Sequence, residues 1–209
     1  MPRYRLHCFG ESGNAYKPAL YLALSGADWE PVWVNFFEGQ HRSAEFVAMN
    51  EYGQVPVLVD GDVTLSQSGL ILQHLQEQEG KFAPKDEAER REVMRWLLWD
   101  NYSFTSVLAP YRFIGHFMPP EKRDAGVLAF LGARMKTALK VLDRRLAGRD
   151  WVAASGPSIA DFSIAGYLYY GSELPFDLNE YPNIVRWLDR LKALPGWKGP
   201  YDLMPRKPA

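Results

Sequence analysis

Polar and apolar side chains near the start of the chain follow two different periods. Residues 4–9 alternate in character and run into the turn formers of residues 10–14, which predicts a strand, a loop and a helix N-terminus. Apolar residues then recur at helical spacing over residues 16–24. A second alternating stretch predicts a strand over residues 32–37, and residues 43–50 fit a short helix. This part of the chain therefore mixes strands with helices.

A β-hairpin gives the clearest local signal. Two alternating stretches, residues 57–59 and 63–65, flank an Asp-Gly pair at residues 60–61. Glycine supplies the positive φ that such a turn needs, so the two strands are predicted to pair antiparallel. A helix is predicted to follow, with Ser66 or Ser68 as its N-cap.

The second half of the chain shows helical periods only. Residues 86–89 and 158–161 have the spacing of a capping box, and a leucine-rich run over residues 128–146 predicts a long amphipathic helix. Pro182 fits the first position of another helix. We assign Asp161 to folding rather than to catalysis, because the acid of a capping box is satisfied by main-chain N–H groups.

The length of 209 residues suits two small domains, each large enough to bury a core. We expect an α+β domain over residues 1–80, a linker over residues 81–87 and an all-α domain over residues 88–209. Hydrophobic residues make up 47% and charged residues 23%, which is typical of a globular protein and not of a disordered one.

The net charge and the lack of a recognisable targeting segment limit the kinds of partner that we expect. The net charge of -1 gives no electrostatic reason to expect nucleic acid or an anionic membrane as a partner. The first ten residues are too polar for a secretory signal, and no run of about 18 apolar residues occurs. We therefore expect a cytoplasmic protein that does not bind membranes or nucleic acid.

Cysteine and histidine usage gives no indication of a disulfide or a metal. Cys8 is the single cysteine of the sequence, so an internal disulfide is excluded. The four histidines, His7, His41, His74 and His116, lack the spacing of metal ligands. No metal is implied.

Four local motifs, taken together, resemble the cytosolic glutathione transferase family over essentially the whole chain. They are residues 12–17 (SGNAYK), 53–56 (GQVP), 67–68 (QS) and 158–161 (SIAD). The resemblance implies a thioredoxin-like N-terminal α+β domain that binds glutathione, and an all-α C-terminal domain with a hydrophobic substrate pocket. The first motif is similar to that of serine-type and related bacterial members. Three departures are the absence of cysteine from that loop, the absence of tyrosine from the tyrosine-type position, and Gln67 in place of the commoner acid.

The resemblance implies that Ser12 or Asn14 faces the glutathione sulfur. Free thiols have a pKa of about 8.5, and the thiolate is the nucleophile. Lowering that pKa by about two needs roughly 2.7 kcal/mol, and hydrogen bonds to charged groups supply about 1.5 to 3 kcal/mol each. The Ser12 hydroxyl, the Asn14 amide and the positive helix N-terminus are sufficient in magnitude. Ser12 matches the serine-type position, although both residues are equally typical of plain helix caps.

The resemblance also implies a set of glutathione contacts: Gln40, His41, Gln54, Val55, Pro56, Gln67 and Ser68. A cis peptide bond at Pro56 would turn the Val55 main chain toward the cysteinyl amide of the ligand. Gln67 and Ser68, at the start of a helix, offer donors to the γ-glutamyl carboxylate. Gln40 and His41 would reach the glycyl end, with help from Gln54. An edge-strand proline, a helix cap and a loop histidine without a role are the alternatives.

The chain is rich in aromatic residues from residue 96 onward, and we expect some of them to line an apolar substrate pocket. We select Tyr111, Phe113 and His116, which flank a helix break expected at Pro110, as its lining for a small hydrophobic electrophile. Three functions stay open: glutathione transfer, glutathione-dependent disulfide reduction without a redox cysteine, and a non-catalytic binding or interaction role. The resemblance implies a homodimer.

Overall fold

A computed structural model describes residues 2–206 of the chain, and these residues pack as two units. The first unit combines residues 2–83 with residues 194–206, and the second contains residues 84–193. Residue 1 and residues 207–209, the outer ends of the expected domains, lie outside the described part of the chain.

The division between the two units falls inside the segment expected as a linker, residues 81–87. The domain limits drawn from the sequence stay a prediction. One difference concerns residues 194–206, which that interpretation assigned to the helical domain and which pack with the first unit instead.

The first unit is built on a mixed four-stranded sheet in the order β2-β1-β3-β4. Its strands are β1 (Tyr4–Cys8), β2 (Trp29–Trp33), β3 (Val57–Asp60) and β4 (Val63–Ser66). The central strand β1 pairs parallel with β2 and antiparallel with β3, and Tyr4, Leu6 and Cys8 on it are fully buried. The predicted hairpin is confirmed, although Asp60 pairs with Val63, so the turn lies one residue later than expected.

The strand expected at residues 32–37 was placed too late. β2 ends at Trp33, and the chain leaves the sheet after the hydrogen bond from the Val34 N–H to the Cys8 carbonyl. Pro31 lies inside β2 without breaking it, because β2 is an edge strand and needs no donor on its outer side. The apolar residue Phe36 that follows packs its ring on Phe9 instead, with centroids 4.6 Å apart.

Four α-helices and the 3-10 helix Gln40–Arg42 complete the first unit; the α-helices are α1 (Gly13–Ser25), α2 (Ala44–Met49), α3 (Ser68–Glu79) and α9 (Pro200–Leu203). Ser12 is the N-cap of α1, in the segment where the sequence predicted the helix N-terminus, and Gly26 ends this helix in the left-handed conformation. The prediction for α3 was wrong: its N-cap is Gln67, and neither Ser66 nor Ser68 has that position.

Residues 194–206, here called the C-terminal strap, lie along α1. A Cβ atom on Gly196 would stand 2.9 Å from the Ala23 carbonyl oxygen, so only glycine permits this approach. Nearer the other end of α1, the Tyr16 hydroxyl donates to the Lys198 carbonyl at 2.7 Å. The strap therefore follows α1 from its C-terminus toward its N-terminus.

The second unit contains five α-helices among residues 84–193: α4 (Glu87–Trp99), α5 (Thr105–Arg112), α6 (Ala125–Leu146), α7 (Ile159–Ala165) and α8 (Pro182–Lys192). Short 3-10 helices cover Pro120–Lys122, Leu168–Glu173 and Leu178–Glu180, and, as predicted, there is no strand among residues 84–193. Two π-helical turns, Asp100–Phe104 and Phe113–Phe117, flank α5. Pro110 lies inside α5, so the helix break expected there was wrong. No helix within residues 2–206 has the length and apolar character needed to span a bilayer.

Asp161 is a buried carboxylate of the second unit with several hydrogen-bond donors around it. It is completely buried and accepts hydrogen bonds from the Val152 N–H at 2.8 Å, the Ser158 N–H at 3.0 Å, the Ser158 hydroxyl at 2.8 Å and the Trp187 indole at 2.9 Å. Burial raises the pKa of the Asp161 carboxyl, and these hydrogen bonds lower it. The carboxylate joins α7 to α8 and to the loop before α7, which fits a role in folding.

We expect Asp161→Ala to lower the free energy of unfolding by at least about 3 kcal/mol. The substitution leaves four donors in the protein interior without acceptors, and each unsatisfied buried group costs about 1 to 3 kcal/mol. Asp124→Ala is the matched control, because Asp124 caps α6 through one exposed bond to the Val127 N–H and its loss should cost about 1 kcal/mol. Equal losses in the two variants, measured by urea unfolding, would contradict the assignment.

Candidate functional site

The loop after β1 presents Ser12 at the start of α1. The Ser12 Oγ accepts a hydrogen bond from the Ala15 N–H at 3.2 Å, and the residue is 7% exposed. A hydroxyl that accepts in this way keeps its own O–H for donation. Capping of the helix and contact with a ligand are therefore compatible at this one atom.

Asn14 is the second residue of α1 and is half-buried. Its side-chain amide makes no hydrogen bond with any residue in the range 2–206. The first turn of α1 carries no acidic side chain, so the positive end of this 13-residue helix is not neutralised from within the helix. Both Ser12 and Asn14 thus lie where an anion is stabilised.

The Val55–Pro56 peptide bond is cis, as the family resemblance implied. Pairing between β1 and β3 begins at Val57, so the main-chain groups of Val55 lie outside the sheet. Gly53 precedes them with a φ of +57°, and a Cβ atom there would stand 3.0 Å from the His41 carbonyl oxygen. The Pro56 loop and the turn that carries His41 are therefore packed closely together.

His41 and Gln54 line a common cavity of about 400 Å³ in the first unit, whose other lining residues are Phe36, Arg42, Val47, Glu51, Tyr52 and Gly53. His41 is only 6% exposed and its ring stacks on Phe36 at 4.1 Å. Its Nδ1 atom is buried and has no hydrogen-bond partner in the described part of the chain. A buried polar atom of this kind is costly unless a ligand or water satisfies it.

Gln40 does not share this cavity. Its side chain is exposed, and its Oε1 accepts from the Asn35 N–H at 2.7 Å. Gln40 therefore holds the turn before His41 in shape.

Gln67 and Ser68 form the N-terminus of α3, a 12-residue helix without a side-chain cap. Gln67 has a φ of 68° and a ψ of 110°, a conformation that residues other than glycine rarely adopt and that costs about 1 to 3 kcal/mol. The Ser68 residue is 6% exposed. The main-chain N–H groups of this helix end remain available to an anion.

Of the three residues expected to line an electrophile pocket, Phe113 and His116 are not part of the cavity that Tyr111 lines. Tyr111 lines a cavity of about 310 Å³ with Met135 and Leu139 of α6. Phe113 and His116 lie together in the π-helical turn Phe113–Phe117, where both are exposed. A π turn changes the direction of the side chains that follow it, which the regular helical spacing did not predict.

A buried ion pair in the second unit was not predicted from the sequence. The Arg112 guanidinium binds the Glu173 carboxylate and lies 3.8 Å from the centroid of the Tyr170 ring. His116 approaches the same carboxylate at 3.9 Å. Arg112 and Glu173 are 61 residues apart in sequence, and no local pattern connects them.

The burial of Cys8 and the placement of the potential metal ligands bear on whether the described residues offer a reactive thiol or a metal site. Cys8 is fully buried, and burial raises the pKa of its thiol to about 12, so it is not a reactive thiol. Within residues 2–206, no group of three or more potential ligands from His, Cys, Asp and Glu is arranged to hold a metal ion.

Comparison with known proteins defines the class. The N-terminal domain model of glutathione S-transferases matches residues 4–77, and the C-terminal domain model matches residues 108–195. Together these matches cover most of the chain and agree with a thioredoxin-like unit joined to a helical one. The chain belongs to the glutathione S-transferase family.

Several relatives are similar over nearly the whole chain. A solved glutathione S-transferase from Xanthobacter autotrophicus Py2 is 34% identical, with a TM-score of 0.87, and the match covers 95% of this chain and 97% of that one. The disulfide-bond oxidoreductase YghU of Escherichia coli (strain K12) is 30% identical, over 86% of this chain and 65% of that protein. A Burkholderia graminis glutathione transferase, solved with two glutathione molecules bound per protein subunit, is 26% identical, with a TM-score of 0.83 and coverage of 93% and 85%. The family thus includes both reaction types considered above.

We expect His41 to make the protein sensitive to acid. Burial, with a contribution from Arg42, lowers the pKa of His41 below its ordinary value of 6.5. The folded state then binds fewer protons than the unfolded chain, so stability falls as the pH drops below about 6.5. In His41→Gln the free energy of unfolding should fall less between pH 7 and pH 5 than in the wild type.

Urea unfolding at several pH values measures this difference. At pH 8 the imidazole is neutral in both states, so any difference there between wild type and His41→Gln reports packing alone. An equal loss of stability between pH 7 and pH 5 in the two proteins would contradict the prediction.

Proposed function

We propose that the protein is a glutathione transferase in which Ser12 stabilises the thiolate of bound glutathione for attack on a hydrophobic electrophile. The observation that carries this proposal is the use of the Ser12 hydroxyl. It accepts from the Ala15 N–H at 3.2 Å, which leaves its O–H to donate to sulfur. The donor is 7% exposed, so its hydrogen bond to an anion competes little with water.

The required stabilisation is within reach of these groups. A shift of the thiol pKa from about 8.5 to about 6.5 corresponds to roughly 2.7 kcal/mol. One hydrogen bond to the thiolate supplies about 1.5 to 3 kcal/mol, and the helix N-terminus adds about 0.3 to 1 kcal/mol. No general base is needed, because the thiol deprotonates on binding.

The other ends of glutathione match two further sites in the first unit. We propose that the glycyl carboxylate enters the cavity lined by His41 and Gln54, where the unpartnered His41 Nδ1 would gain a hydrogen bond. The γ-glutamyl carboxylate would bind Gln67 and Ser68 at the N-terminus of α3. The cysteinyl amide would pair with the Val55 main chain beside the cis-Pro56. Gln40 would act indirectly, by holding the turn of His41.

The second substrate is less well defined. We propose that Phe113 and His116, exposed in their π-helical turn, contact a small hydrophobic electrophile. Tyr111 would contribute from a separate cavity against α6. We also propose a cytoplasmic homodimer, which follows from the family resemblance.

Disulfide reduction is the alternative that a specific observation favours. The Asn14 amide has no partner in residues 2–206, and it is therefore ready to hold a thiolate in place of Ser12. The relative YghU is named a disulfide-bond oxidoreductase. Because Cys8 is buried and unreactive, this reaction would rely on glutathione thiols only. A non-catalytic binding role is the remaining alternative.

Titration of thiolate absorbance on the protein with bound glutathione tests these proposals. We expect the wild type to lower the thiol pKa by about two and Ser12→Ala to abolish that shift. Ser43→Ala is the matched control, because the Ser43 Oγ caps α2 through the same 3.2 Å bond, to the Phe46 N–H, away from the proposed sulfur position. Conjugation of a model electrophile and reduction of a small-molecule disulfide by glutathione are assayed in parallel.

Each outcome selects one function. Loss of the shift in Asn14→Ala but not in Ser12→Ala, with disulfide reduction faster than conjugation, would favour the oxidoreductase. Glutathione binding without any thiolate in the wild type would leave only the binding role.

A further inference from the structure

The loop that carries Ser12 is held by the C-terminal strap. The Gly10 N–H donates to the Pro205 carbonyl at 2.8 Å, and the Arg206 Nε donates to the Glu11 carboxylate at 2.9 Å. The Arg206 guanidinium also lies 4.1 Å from the centroid of the Tyr201 ring within the strap. Two consecutive residues immediately before Ser12 are therefore tied to residues almost 200 positions later in sequence.

Gly10 shows how close this contact is. A Cβ atom at Gly10 would stand 2.8 Å from the Arg206 Cγ and 3.1 Å from the Tyr201 ring. A side chain at residue 10 would push the strap away from the loop. The absence of a side chain at this position allows the strap to reach Glu11.

Glu11 is an unfavourable neighbour for a thiolate. Its side chain is 12% exposed, so its charge is only partly screened by water, and it directly precedes Ser12. A nearby like charge disfavours an anion and raises its pKa. Arg206 offsets this effect, because a paired carboxylate presents little net charge to its surroundings.

We propose that Arg206 is a positioning residue of the sulfur site: by pairing with Glu11 it neutralises the carboxylate beside Ser12 and fixes the loop that directs the Ser12 hydroxyl. The inference rests on the proposed function, since it concerns the thiolate that Ser12 would hold. It makes the end of the strap a part of the catalytic apparatus and not only a packing element on α1. The charge of Arg206 acts through Glu11, and its side chain need not touch glutathione.

A charge-removal cycle tests the inference. Arg206→Gln removes the guanidinium that pairs with Glu11, so we expect the thiol pKa of bound glutathione to rise by about half to one pH unit. Glu11→Gln removes the opposing charge, and the double variant Glu11→Gln with Arg206→Gln should therefore return the thiol pKa to the wild-type value or below it. Arg206→Lys, which keeps the charge, should restore most of the wild-type value. If Arg206 had a purely structural role, the double variant would lack both partners of the contact, and its thiol pKa would not return toward the wild-type value.

Arg3→Gln is the matched control in the same unit. Arg3 pairs with Glu79 at 3.0 Å and with Asp60 at 3.5 Å, at the other end of β1 from the Ser12 loop, so its loss should leave the thiol pKa unchanged. Thermal unfolding of each variant shows whether it is folded at the temperature of the titration.

The outcomes separate this inference from the proposed function. A wild type that does not lower the thiol pKa overturns the proposed function, and this inference with it. If the wild type lowers the thiol pKa and Arg206→Gln has the same thiol pKa as the wild type, only this inference is overturned. A double variant whose thiol pKa stays as high as that of Arg206→Gln also overturns the charge argument.

Discussion

The hydrogen bond from the Ala15 N–H to the Ser12 Oγ fixes where α1 begins, and much of the first unit is arranged around that helix. β1 delivers the chain to the cap from the centre of the sheet, and the C-terminal strap lies along α1 to the same point. A capping bond of this kind contributes about 1 kcal/mol, which is small beside the buried core. Its importance is geometric, because it sets the direction in which the remaining O–H can point.

Features of the fold that depend on residues close together in the sequence could be predicted from it. The caps at Ser12 and Asp86, the turn at Gly61 and the long helix α6 depend on a few residues close in the chain. The strand β2 was placed too late because Pro31 is acceptable only at a sheet edge, and edge position is a property of the whole sheet. Likewise, Gln67 caps α3 in a strained conformation that no propensity favours.

The candidate site also contains features that could be predicted from the sequence and features that could not. The spacing of residues 53–56 led to the cis peptide through family resemblance, whereas residue periodicity gave no indication of it. The Arg112–Glu173 and Glu11–Arg206 pairs join residues far apart in sequence, so no local pattern could predict them. Tyr111 was grouped with His116 because both flank a helix break expected at Pro110, but α5 continues through Pro110 to Arg112 and a π-helical turn follows it. Long-range pairs and helix irregularities are set by packing, which a single sequence does not reveal.

The double use proposed for Ser12, as helix cap and as thiolate donor, would also explain why a hydroxyl suits this position. An aspartate would cap α1 as well as serine does, but it has no hydrogen to donate and would place a second negative charge beside Glu11 and the thiolate. An alanine would lose both the cap and the donor. An asparagine would cap and donate, but its amide would place the donor farther from the main chain than a hydroxyl does. A short, neutral group that accepts from α1 and could donate to sulfur would meet both demands, and in the role proposed for it Arg206 would offset the remaining electrostatic cost of Glu11.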